Sequence, residues 1–73
     1  MGPKPVLDLI KQAQRELAET SVLVDEQVGI VRRLKRLGAD TKAAILLLID
    51  LLELRETREQ RLAQLRFKLI RPR

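Results

Sequence analysis

Seventy-three residues with 15 Lys and Arg, 10 Asp and Glu, no His, no Cys and a single aromatic can build one small domain and little more. Composition alone excludes zinc fingers, Cys or His nucleophile systems, Glu-x-x-His di-iron sites and disulfide frameworks, and the missing cysteines fit a reducing compartment. A hydrophobic content of 45%, nearly all Leu, Ile, Val and Ala, is too high for a disordered chain and of the wrong kind for a β domain.

The start of the chain shows no secretory pattern, because Asp8, Lys11, Arg15 and Glu16 interrupt every apolar run behind Met1 to Pro5. Gly2 precedes Pro3, and position 6 is Val, so a myristoylation motif is not formed. The longest apolar stretch, Ala43 to Ile49 with Leu51 and Leu52 beyond Asp50, falls far short of the roughly 20 residues of a membrane span. The expectation is a soluble, cytoplasmic chain with no membrane partner.

Val6, Ile10, Ala13, Leu17, Thr20, Val24, Val28, Val31, Leu34 and Leu37 recur every three or four residues and predict an amphipathic helix over about 6–37. Pro5 suits its first turn. Thr20 to Val24 is its weakest part, and a break at Thr20-Ser21 is the alternative to one helix whose stripe keeps its phase throughout. Gly38 then has the place of a left-handed C-terminal cap, and Asp40 that of an acceptor for the N–H groups opening a second helix. That helix spans about 41–69, with Ala44, Leu47, Leu48, Leu51, Leu54, Leu62, Leu65 and Leu69 as its stripe and Pro72 blocking extension.

So short a connection makes the helices antiparallel neighbours, and the predicted fold is all-α: a two-helix hairpin forming one domain over 1–73, with flexible ends at 1–5 and 70–73. Folding at Gly38-Ala39 pairs residues whose numbers sum to roughly 77. Arg58 then interrupts the second stripe opposite Glu19, and these two are read as a polar layer that sets register. Glu16, Glu19, Glu56 and Glu59 lie near the same level, but Arg15, Arg55, Arg58 and Arg61 compensate them, and without His no metal or other cofactor is expected.

Ile45 to Ile49 is apolar all round the helix, more than one neighbouring helix can bury. Ile45, Leu46, Leu48, Ile49 and Leu52 are therefore the candidate oligomer interface. A homodimeric four-helix bundle is the simplest closed assembly, with a helical protein partner as the other way to cover the face. The function expected is a non-enzymatic interaction or scaffold module with no catalytic residues and no small-molecule substrate. The alternative is a basic hairpin dimer that binds RNA or DNA. Its candidate contacts are Arg32, Arg33, Lys35 and Arg36 at the end of the first helix and Arg66, Lys68, Arg71 and Arg73 at the end of the second, although the helix dipole alone accounts for cations there.

Arg33, Leu34, Gly38, Asp40, Thr41, Ala44, Leu47 and Leu48, with Arg61, Leu62 and Leu65 downstream, follow the pattern Arg-Leu-x-x-x-Gly-x-Asp-Thr-x-x-Ala-x-x-Leu-Leu. In this the segment from Gln27 to Leu65 resembles a set of small, uncharacterised helical-hairpin proteins of rhizobial-type alphaproteobacteria. The resemblance implies a hairpin and no particular activity. The turn from Leu37 to Ala43 is also similar in architecture to that of Rop-type plasmid copy-number regulators, RNA-binding hairpin dimers, and Arg32 to Arg66 looks like the dimerisation helices of mercury-resistance-type regulators.

Overall fold

A computed structural model describes residues 4–70. Two helices account for nearly all of them: α1, Lys4–Arg36, and α2, Lys42–Ile70. They pack against each other as an antiparallel hairpin 57 × 15 × 13 Å in extent. Its radius of gyration is 16.8 Å, whereas a compact domain of this length would have about 11 Å. The hairpin is a rod with a single helix–helix seam. Both helices run slightly past their expected outer ends, to Lys4 and Ile70, and residues 1–3 and 71–73 lie outside the described residues.

α1 passes unbroken through Thr20-Ser21. Thr20 Oγ1 donates to the carbonyl of Glu16 one turn back at 2.8 Å, which satisfies the hydroxyl inside the helix instead of in competition with it. The helix then ends as its sequence dictates. Gly38 adopts φ 70°, its N–H donates to the Lys35 carbonyl at 3.1 Å, and the Ala39 N–H reaches back to Leu34 at 2.9 Å, the two bonds of a Schellman cap. Asp40 Oδ1 accepts the Lys42 N–H at 3.0 Å, and the Thr41 carbonyl accepts the first α2 bond from Ile45 at 2.8 Å. Arg33, Lys35 and Arg36 fill the last turn of α1, where the helix dipole favours cations.

The seam advances strictly by alternating steps of three and four. On α1 the seam line is Val6, Ile10, Ala13, Leu17, Thr20, Val24, Gln27, Val31 and Leu34, and facing it are Thr41, just before α2, and Ala44, Leu48, Leu51, Arg55, Arg58, Leu62 and Leu65 of α2; all are buried or half-buried, and Glu16, Ser21, Val28 and Ile45 are half-buried beside the line. Such a repeat is the knobs-into-holes pattern of an antiparallel coiled coil. Three residues expected in the α2 stripe lie outside it: Leu47, Leu54 and Leu69 are 49%, 39% and 38% exposed. The constant heptad step carries the seam from Leu51 through Arg55 and Arg58 to Leu62, so Leu47 and Leu54 fall on the flank. Leu37, expected to end the α1 stripe, is 73% exposed beside the cap, and Gln27 occupies a buried seam position that the apolar pattern gave to Val28.

The tightest packing lies far from the turn. Ile10, Ala13, Leu62 and Leu65 form the buried cluster, with Val6 and Leu17 against it. In the turn-proximal half Val24 is buried among apolar residues, but Val28, Val31, Leu34, Ala44, Ile45, Leu48 and Leu51 are only half-buried.

Candidate association surface

Among the described residues, the side chains of Gln27 and Arg58 reach across the seam. Gln27 Nε2 donates to the carbonyl of Ala44 at 2.9 Å, and Arg58 Nη1 donates to the carbonyl of Glu16 at 3.1 Å and to the hydroxyl of Thr20. Thr20 is 0% exposed and has its hydroxyl used in both directions, as donor to Glu16 and acceptor from Arg58. No buried side-chain nitrogen or oxygen among the described residues lacks a hydrogen-bond partner, as a low-dielectric seam requires. The expected pairing of Arg58 with Glu19 is therefore corrected. Arg58 does turn toward α1, but Glu19 sits on the exposed side of that helix, and the guanidinium ends on the Glu16 carbonyl and on the hydroxyl of Thr20, the buried neighbour of Glu19. Arg58 is half-buried, and ending its guanidinium on α1 oxygens lets a charged residue hold a seam position.

The four glutamates considered for a metal do not converge: among the described residues no group of three or more acidic side chains could hold an ion. Of the expected interface residues, Ile45 and Leu48 are half-buried on the seam side of α2, and Leu46, Ile49 and Leu52 are exposed. Arg32, Arg33, Lys35 and Arg36 are all exposed near the turn, with Arg32, Lys35 and Arg36 lining an open cleft about Gly29. Arg66 and Lys68 are exposed at the opposite end of the rod, so the basic groups form no continuous stripe; Arg71 and Arg73 lie outside the described residues.

The two flanks of the seam differ along their length. Leu9, Gln12, Ala13, Glu16 and Arg61 line one cleft, and carrying the seven-residue repeat on from it puts the α1 line Leu9, Glu16, Leu23, Ile30, Leu37 and the α2 line Leu47, Leu54, Arg61, Lys68 on one side of the hairpin. Toward the open end that side is mainly charged. Toward the turn it is wholly apolar: Leu23, Ile30, Leu37, Leu47 and Leu54 are all exposed. This flank went unseen in the sequence because the α2 leucines were assigned to the seam; its signal is the heptad spacing of Leu23, Ile30 and Leu37.

Fourteen large apolar side chains are exposed among the described residues, against five buried apolar ones. The accessible surface of 6042 Å² exceeds by about 1,400 Å² what a compact monomer of this size presents. None of the described helices is long and apolar enough to cross a membrane. No protein family, curated protein or solved structure matches the chain.

Proposed function

We propose that the chain is a non-enzymatic association module: a helical hairpin whose exposed apolar flanks are covered by a second copy of itself in a four-helix bundle. The observation that carries this reading is the excess of exposed over buried apolar side chains. A single seam leaves the turn-proximal core half-open, and a second layer of helices is the ordinary way to close it. Sedimentation equilibrium at tens of micromolar should return twice the chain mass; a monomer with full helicity at that concentration would overturn the reading.

Nucleic-acid binding is the second reading, supported by the basic cleft of Arg32, Lys35 and Arg36. It requires protein prepared at low salt to carry material absorbing at 260 nm and to release it steeply as salt rises. With no Trp or Tyr in the chain, such material would dominate the near-ultraviolet spectrum. Clean protein at low salt rejects this reading and leaves the association module untouched.

A further inference from the structure

We infer that two hairpins join antiparallel and staggered, overlapping only in their turn-proximal halves, with Ile30 and Leu47 on the two-fold axis. The inference rests on the self-association reading and specifies its geometry. Three arrangements can lay the flank of Leu23, Ile30, Leu37, Leu47 and Leu54 against its own copy, and the residues along that flank separate them.

Full-length antiparallel overlap puts the axis near the middle of the rod. There Leu23 would face the partner's Glu16, Leu54 the partner's Arg61 and Leu47 the partner's Lys68, so that only Ile30, opposite the partner's Leu9, would meet an apolar group and the other three would each desolvate a charge. Parallel overlap, with both turns at one end, matches apolar groups but stacks α1 of one copy on α2 of the other. It sets Glu26 against Asp50 and brings two basic tips, each with Arg32, Arg33, Lys35 and Arg36, to the same place. Like charges directly opposed at a rim are what specific interfaces avoid.

Staggered antiparallel overlap removes both conflicts. A two-fold axis across the helices at the level of Ile30 and Leu47 stacks α1 on α1 and α2 on α2. Ile30 then meets Ile30, Leu47 meets Leu47, and Leu23 meets Leu37 twice by symmetry, with Leu54 beside the partner's turn. At the rim Glu26 and Arg33, both exposed, exchange partners across the axis, and each basic tip lies over the acidic stretch that carries Asp25 and Glu26. Residues 21–54 carry five basic and five acidic side chains and so form a neutral, apolar half, whereas the net charge of +5 resides in the halves that stay apart.

The chain has no cysteine, so single cysteines report the geometry without background. A disulfide requires Cα atoms within roughly 7 Å. Ile30→Cys and Leu47→Cys should each cross-link to themselves on mild oxidation, while Leu23→Cys alone should stay unlinked and should link when mixed with Leu37→Cys. In full overlap the two copies of residue 30 would stand about 30 Å apart and neither single variant would link. In parallel overlap Ile30→Cys would link to Leu47→Cys in a mixture but not to itself. Either pattern in a protein that sediments as a dimer overturns the staggered geometry while sparing self-association, whereas a monomeric wild type overturns self-association itself. A charge swap gives the second measurement: Glu26→Arg and Arg33→Glu should each weaken the dimer several-fold, and the double variant should restore it. Singles without effect, or a double variant weaker than either, would also reject the geometry.

Discussion

Gly29 and Gly38 are both exposed, and a Cβ at either would meet no neighbouring atom, yet they respond oppositely to alanine. Gly29 sits inside α1 with ordinary helical geometry, so Gly29→Ala should stabilise by about 0.5–1 kcal/mol through the entropy of the unfolded chain. Gly38 has φ 70°, and Gly38→Ala should cost about 1–2 kcal/mol of left-handed strain. Thermal melts at one protein concentration check both, since about 1 kcal/mol moves Tm by roughly 4–8 °C in a domain this small. Arg58 offers a sharper contrast. Because the Thr20 hydroxyl keeps its own bond to Glu16, Arg58→Leu leaves no orphaned donor and fills the seam with apolar surface. Urea unfolding should show a gain on the order of 1 kcal/mol, with broadened NMR lines as neighbouring registers become accessible. Arg58→Ala removes a half-buried side chain and its hydrogen bonds across the seam without filling the space and should destabilise by about 1 kcal/mol.

At the scale of the helices, the parts legible in the sequence are those decided by local chemistry. Gly38 and Asp40 announce the turn because capping depends only on residues within reach of one another, and α1 shows its stripe because its apolar residues are sparse enough to have a single phase. α2 conceals its phase. With Leu at 46, 47, 48, 51, 52 and 54, several stripes fit equally well, and the one used is set by α1 across the seam, so it places Arg55 and Arg58 inward and Leu47 and Leu54 outward. Gln27 was missed for the same reason: an amide enters a seam only when a backbone carbonyl on the other helix can receive it, and Ala44 supplies one. That bond ties the axial position of α2 to α1. Gln27→Ala should cost about 1 kcal/mol by urea unfolding, and Gln27→Leu should recover much of the loss through apolar contact while letting the helices slide.

Across the whole molecule, the separation between the turn and the tightest cluster has a kinetic consequence. Helices joined by a short turn ordinarily zip from that turn, since closing its small loop costs little entropy. Here the contacts nearest the turn are the half-open ones, and the reward lies at Ile10, Ala13, Leu62 and Leu65. Bringing Ile10 to Leu65 closes a loop of roughly 55 residues, about 2 kcal/mol costlier than closing one of six. A lone chain must therefore pass through a weakly held hairpin before it reaches its best contacts. A second chain that covers the turn-proximal half would stabilise that intermediate, so encounter should precede completion of the seam. Refolding monitored by far-ultraviolet circular dichroism should accelerate with protein concentration across the micromolar range. A concentration-independent rate would mean that each chain finishes its seam alone and docks afterwards.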